Sequence, residues 1–231
     1  MSCIYNSNIL NSIKYNGIEI DTLKFNGTTI WERINWLRTG VSLIGNCTNI
    51  DGVLSNFSSN SLAQGYDAGT DIPNKTAFII VLKFNTTYTT GVDQCLFCVS
   101  QSSQFSTNPS TYIRISGTDK IYFGKAYGNG TQSFYGTYNF VDNTNYWIKI
   151  EVFNDKSGTI NLSTDGTTYT QLNTFGPGSS YNYNFPSANK SFILGVYQDE
   201  WLGNFTQPFS GTIDLKGCYI LIDGEYWWKG A

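Results

Sequence analysis

The closing stretch, Phe209 to Trp228, sets the terms for the whole fold. Ile213 and Leu215 fall on one side of an extended chain, with Thr212, Asp214 and Lys216 on the other, so it begins as a strand with one wet face. From Cys218 to Ile222 both sides are apolar, the pattern of a strand covered on two faces. Asp223-Gly224 then supplies the φ > 0 pair of a tight hairpin, and Glu225 to Trp228 runs back. The last strands therefore read as core, with Trp227 and Trp228 as packing residues. A chain whose end is its most buried segment closes its sheet late, bringing N-terminal strands back beside it, as sandwiches with non-local pairing do.

A β signal fills the chain ahead of that stretch. Thr76 to Phe84 is an apolar run of strand length that belongs in the centre of a sheet. Gln94 to Val99, Tyr112 to Ile115 and Lys120 to Lys125 follow as strands, and Phe134 to Phe140 is aromatic and Gly-interrupted. Tyr146 to Phe153 places Tyr146, Ile148, Ile150 and Val152 on one face and Lys149 and Glu151 on the other, a half-buried strand. Thr159 to Leu162 and Thr167 to Leu172 flank Asp165-Gly166 as a hairpin, and Phe192 to Tyr197 is a further strand. Ile34 to Gly52 reads equally as strand or as a short turn of helix. At least nine strands and no helix make an antiparallel sandwich.

Residues 13–30 hold a repeat of period ten: Ile13-Lys-Tyr-Asn-Gly-Ile-Glu-Ile20, then Leu23-Lys-Phe-Asn-Gly-Thr-Thr-Ile30. Each copy is a miniature hairpin around an Asn-Gly turn, Asn16-Gly17 and Asn26-Gly27, with Tyr15, Phe25 and Trp31 as its aromatic residues. Hairpins this short do not stand alone in water and must dock. Two readings stay open: residues 1–35 are an attachment module ahead of a sandwich in 36–231, or they are opening hairpins of the sandwich itself.

Charged residues are only 13% of the 231, aromatics 16%, and the net charge is −3. Without a run of Lys or Arg there is no footprint for a phosphate backbone, so neither nucleic acid nor an anionic membrane is an expected partner. No segment approaches the ~20 apolar residues of a membrane span, and the N-terminus has no basic region followed by an apolar run, so the expectation is assembly in the cytoplasm of the expressing cell. The five cysteines, Cys3, Cys47, Cys95, Cys98 and Cys218, are odd in number and scattered. Cys95 and Cys98 have redox-motif spacing, but a regular strand points them to opposite faces, so buried free thiols are expected.

The order of these signals resembles the concanavalin A-like, laminin-G-like jelly-roll family. The resemblance is carried by Thr76 to Phe84, Tyr146-Trp147-Ile-Lys-Ile-Glu-Val, Gly158-Thr-Ile-Asn-Leu162 with Ser163-Thr-Asp-Gly166, Phe192-Ile-Leu-Gly195 and Phe209-Ser-Gly211-Thr-Ile-Asp214. It spans about residues 50–225 and implies an all-β jelly-roll sandwich. The Asn-Gly repeat is similar to segments that precede jelly rolls in bacteriophage tail and fibre proteins. That similarity implies a virion structural protein, a fibre, tail or head-decoration component with other virion proteins as partners, self-associated as fibre proteins commonly are in trimers, and binding host-surface glycans.

With no histidine in the chain, Ser-His-Asp and Cys-His nucleophiles and imidazole metal sites are excluded. Glycoside hydrolysis needs only two carboxylates about 5 to 9.5 Å apart. Enzymes of the family carry them as Glu-x-Asp-x-x-Glu, a string absent here, and Asp199-Glu200 on a strand point oppositely. A non-enzymatic role is expected, with a free carbohydrate-binding lectin module, and behind it a glycoside hydrolase of the same fold, as the alternatives. Sugar binding needs aromatic faces and neutral hydrogen-bonding groups, and this surface is rich in both. The candidates are Tyr181, Asn182 and Tyr183 in the long loop Phe175 to Asn189, with Asp199, Glu200 and Trp201 in the next bend. The same loop aromatics suit a lid over a sheet edge or a subunit contact. No cofactor is expected: Asp142, Asp155 and Asp165 sit in turns, but no spaced oxygen-ligand loop for calcium is legible.

Overall fold

The computed structural model describes the strands within residues 4–39, then residues 41–64, 77–87, 91–99, 111–127, 130–176, 192–198 and 205–230. The chain divides into two compact units, Met1–Trp36 and Leu37–Ala231. In the first, three two-stranded antiparallel ladders follow one another: β1 (Ile4–Tyr5) with β2 (Asn8–Ile9), β3 (Ile13–Tyr15) with β4 (Ile18–Ile20), and β5 (Thr22–Phe25) with β6 (Thr28–Glu32). Tyr15, Phe25 and Trp31 stand on β3, β5 and β6, while Asn16, Gly17, Asn26 and Gly27 lie outside the described residues.

The second unit opens with five short strands, β7 (Arg38–Thr39), β8 (Ser42–Ile44), β9 (Thr48–Ile50), β10 (Val53–Ser55) and β11 (Leu62–Gln64). Longer ones follow: β12 (Phe78–Thr86), β13 (Gln94–Val99), β14 (Thr111–Ser116), β15 (Lys120–Tyr127), β16 (Gly130–Thr137), β17 (Thr144–Val152), β18 (Gly158–Ser163) and β19 (Thr170–Phe175). Then come β20 (Phe192–Leu194), β21 (Tyr197–Gln198), β22 (Phe205–Thr206), β23 (Gly211–Asp214), β24 (Tyr219–Ile222) and β25 (Glu225–Lys229). They form two sheets, one of ten strands and one of seven, with β21 and β22 as a separate pair. The architecture is an all-β sandwich, and every pairing among the described residues is antiparallel except that of β25 with β7.

β12 is the centre of the ten-stranded sheet. One edge pairs with β17 along its full length, Phe78↔Val152 to Thr86↔Thr144. The other edge is shared end to end by β24, at Phe78–Val81, and β23, at Phe84–Thr86. The closing stretch is therefore one strand broken in the middle by a 3-10 turn, Leu215–Gly217, where the sequence pattern alone suggested no helical turn. The cause is local: the Asp214 carboxylate accepts the Lys216 N–H at 3.1 Å, offering the backbone a partner outside the ladder. Early strands return beside the late ones, as β10 beside β23 (Val53↔Asp214) and β7 beside β25 (Trp228↔Arg38).

Alternate residues of β12 and β17 point inward, Ile80, Leu82 and Phe84 against Tyr146, Ile148 and Ile150, all buried. They meet Phe97, Ile113, Phe123 and Phe192 of the seven-stranded sheet in one continuous core. Each such side chain removed from water contributes about 1.5–3 kcal/mol before chain entropy is counted. A second, smaller core lies on the other face of the seven-stranded sheet: Leu62, Cys95, Cys98, Tyr112, Ile193 and Val196.

That second core corrects the sequence expectation for Cys95 and Cys98. A bulge between Cys95 and Phe97 inserts Leu96 without a partner, so the alternation restarts and both thiols return to one face, Cys95 donating to the Phe97 carbonyl at 3.3 Å and Cys98 to the Val196 carbonyl at 3.4 Å. Cys47, Cys95, Cys98 and Cys218 are all free and buried, as expected. Burial pushes the Cys218 thiol up to about 12 and raises Cys95 well above its ordinary value. Both folded values exceed that of an unfolded thiol, about 8.5. The stability these thiols lend is fully present below about pH 8.5 and is lost as pH rises toward 12, because only the unfolded chain gains thiolate in that window. Urea midpoints should fall from pH 8 to pH 10, and less in a Cys95→Ala/Cys218→Ala variant. An unchanged midpoint across that range would rule the mechanism out.

Candidate functional site

Tyr181, Asn182, Tyr183, Asp199, Glu200 and Trp201 lie outside the described residues. Among the described ones, the surface richest in recognition chemistry is the outward face of the ten-stranded sheet. Alternation puts Trp147, Lys149 and Glu151 of β17 on this face, half-buried, while Tyr146, Ile148 and Ile150 enter the core. Pairing sets their neighbours in rows: Asn161 beside Lys149 beside Val81 beside Tyr219, and Thr159 beside Glu151 beside Ile79 beside Leu221.

The hairpin between β18 and β19 brings a further aromatic residue over the face. Ser163 and Asp165 build its turn: the Asp165 carboxylate accepts the Thr168 and Thr167 N–H groups, each at 2.7 Å, and the Ser163 hydroxyl at 2.8 Å. These three donors hold Asp165 well below the usual carboxylate range. Gly166 follows at φ +76°, and a Cβ there would stand 2.9 Å from Trp147 Cε2, so only glycine lets the turn lie on the indole. The chain then returns with Tyr169, whose ring sits 4.8 Å from Lys149 Nζ. Burial, with Tyr219, Asp165 and Glu151 nearby, pushes the Tyr169 hydroxyl up to about 12. Tyr219 is raised by the same causes, burial first and then Tyr226 and Glu151, and it meets Tyr226 edge to face at 5.5 Å. Two tyrosines from distant segments, Tyr169 and Tyr219, thus flank one lysine-carboxylate pair, with Tyr226 beyond Tyr219.

The charges at the middle of the face are already paired. Lys149 Nζ lies 3.2 Å from Glu151 Oε1, and Lys83 Nζ lies 2.6 Å from Asp214 Oδ2 and 5.0 Å from the Trp147 ring. The other Glu151 oxygen accepts Thr159 Oγ1 and Asn161 Nδ2, both at 3.3 Å. All four ion-paired side chains are about a quarter exposed, so their groups are fixed in place and still reachable. One end of the face opens into a cleft of about 680 Å³ between the Phe153–Asn154 turn and the Asp223–Gly224 turn, floored by Ile79 and Leu221 beside Glu151.

Two of the turn aspartates considered for calcium are spent on their own loops, Asp165 as above and Asp155 on the Ser157 hydroxyl and N–H. Among the described residues no three His, Cys, Asp or Glu gather as a metal site, and no helix is long and apolar enough to cross a membrane.

Neither a protein-family model nor a curated protein matches the sequence. Solved structures match the fold. Domains LG4–5 of the mouse laminin α1 chain superpose with a TM-score of 0.53 at 13% identity, covering 78% of this chain and 44% of that one. The LG1–3 region of the laminin α2 chain gives 0.52 at 13% identity over 88% of this chain and 35% of that one. The fold is a laminin-G-like jelly roll. The CBM40 module of the Ruminococcus gnavus IT-sialidase, bound to α2,3-sialyllactose, gives 0.50 at 14% identity over 76% of this chain and 90% of that one. The jelly roll here spans less than half the length of the laminin fragments it matches.

The sequence pattern placed Lys149 and Glu151 on a wet face but gave no reason to join them to Tyr169 or Tyr219. The available signal was Trp147, a large aromatic residue on the polar side of an alternating strand.

Proposed function

We propose that this chain is a non-enzymatic bacteriophage virion protein, a fibre, tail or head-decoration component, whose jelly roll binds host-surface glycans. The observation that carries the binding half is the tyrosine-lined sheet face over a pre-paired lysine and carboxylate. Tyrosine rings offer apolar surface to the C–H faces of sugar rings, and a fixed ammonium, carboxylate and amide offer donors and acceptors to hydroxyls without a reorganisation cost. The carboxylates suit hydrogen bonding better than catalysis. Each is ion-paired with a lysine, whereas a glycosidase needs one carboxyl ready to deliver a proton.

The virion half rests on the Asn-Gly repeat, with residues 1–35 as the segment that attaches to other virion proteins and a self-associated, trimeric fibre as the assembly. A free carbohydrate-binding module is the second reading, favoured by the match of fold to the sialidase module. Locating the chain in purified particles separates the two.

On a glycan array, binding by the full chain is expected to weaken at least about tenfold, about 1.4 kcal/mol, on Tyr219→Ala. Trp201→Ala, in the bend named from the sequence, serves as the comparison. Loss with Trp201→Ala but not Tyr219→Ala would move the site to the loops, and no binding to any glycan would overturn the recognition role.

A further inference from the structure

Resting on the reading of the sheet face as a glycan site, we infer that its ligand is a neutral oligosaccharide bearing an acetamido group. Two features of the face carry this.

The first is charge. Both lysines at the middle of the face have a carboxylate in place, Lys149 with Glu151 and Lys83 with Asp214. An acidic sugar would have to displace a partner already held at 3.2 or 2.6 Å, in a setting about three-quarters withdrawn from water, where the displaced carboxylate would be left uncompensated. Arg114, which has the planar fork suited to a carboxylate or sulfate, belongs to the other sheet and is paired with Asp93 at 3.3 Å. Lys229, at the rim, sits over the Tyr226 ring at 3.7 Å and is a single cation beyond the paired centre.

The second is the change of character along the face. Ile79 is the cross-strand neighbour of Glu151 on one side and of Leu221 on the other, so an apolar patch adjoins a fixed carboxylate at the mouth of the cleft. An acetamido group has this polarity: an N–H that seeks an acceptor and, about two bonds away, a methyl that seeks apolar cover. Glu151 accepts from Lys149, Thr159 and Asn161, three of the roughly four hydrogen bonds a carboxylate takes, leaving one for a ligand. A plain hydroxyl in the same place would satisfy the acceptor but leave Ile79 and Leu221 facing water.

The test is calorimetric titration of the full chain with chitotriose, cellotriose and 3′-sialyllactose, the first two differing in the acetamido groups. Chitotriose should bind roughly tenfold or more tighter than cellotriose, the scale on which a filled apolar pocket and a matched donor discriminate. Sialyllactose should bind no better than cellotriose. Leu221→Thr, a strand-compatible change on the half-exposed side of β24, should weaken chitotriose binding more than cellotriose binding and so bring their ratio toward one. Glu151→Gln provides a second variant with its fold checked by near-UV circular dichroism. Equal binding of the two neutral trimers, tightest binding of the acidic one, or an array ligand without an acetamido group overturns the inference and leaves glycan recognition standing. Silence across the whole array overturns both.

Discussion

Replacing Trp228 with alanine is expected to remove about 3–5 kcal/mol of stability, the largest single loss expected among the described residues. Trp228 is fully buried and is the largest such side chain among the described residues. Its ring meets Phe192 of the seven-stranded sheet edge to face at 4.8 Å, so it ties the two layers together across the core. Its backbone lies between β24, where it pairs with Ile220, and β7, where it pairs with Arg38. A bulge in β25 lets Trp227 be buried as well, 6.1 Å from the same phenylalanine, which doubles the aromatic seal at this end of the sandwich. Truncation leaves a cavity that side chains from three strands cannot collapse to fill, and the loss is a large share of the roughly 5–15 kcal/mol a domain has. Urea unfolding followed by tryptophan fluorescence and circular dichroism measures it. Tyr226→Ala, an exposed position on the same strand, should cost under about 1 kcal/mol. A Trp228→Ala variant within 1 kcal/mol of the parent would mean that the closing hairpin does not lock the sandwich.

The parts of this fold that were legible are those where one face is wet and the strand is long. Tyr146 to Val152 keeps strict alternation because its outward side meets solvent, and the structure follows it residue by residue. Where both faces are apolar the pattern carries no phase. Gln94 to Val99 is buried at every position, so an inserted residue at Leu96 changes no hydrophobic residue into an exposed one and the bulge leaves no trace in the sequence. The break at Leu215–Gly217 was hidden for a related reason, since one 3-10 turn returns the chain to the same edge of β12. The strands between Arg38 and Ile50 are two or three residues long, too short for any period to show. The candidate site is non-local. Lys149 and Glu151 are readable as a same-face pair, but Tyr169 arrives through the geometry of the Asp165 turn and Tyr219 through the pairing of β24 with β12, neither of which periodicity encodes.

Gly195→Ala is the second large effect expected, about 2–4 kcal/mol from the deletion of no contact at all. Gly195 follows β20 directly, at φ +86°, where an L-residue is strained by about 1–3 kcal/mol. A Cβ at this position would also land within the ring of Phe57, which packs 6.2 Å from Phe209. The backbone cannot turn away to relieve either problem, because both of its polar groups are in use. The Gly195 N–H donates to the Leu96 carbonyl at 3.1 Å, and the Gly195 carbonyl accepts the Phe209 N–H at 2.8 Å. Relief must therefore come from moving Phe57, and with it the packing under the segment that leads into β23, or from breaking a hydrogen bond to the bulged strand. The measurement is a urea midpoint that drops at constant m, the signature of lost native stability without a change in the unfolded chain. Gly176→Ala is the matched control: nothing lies within 4 Å of its Cβ position, so it should be neutral or slightly stabilising through the loss of unfolded-chain freedom. If the two alanines behaved alike, the strain at Gly195 would not be what fixes the end of β20 against Phe209.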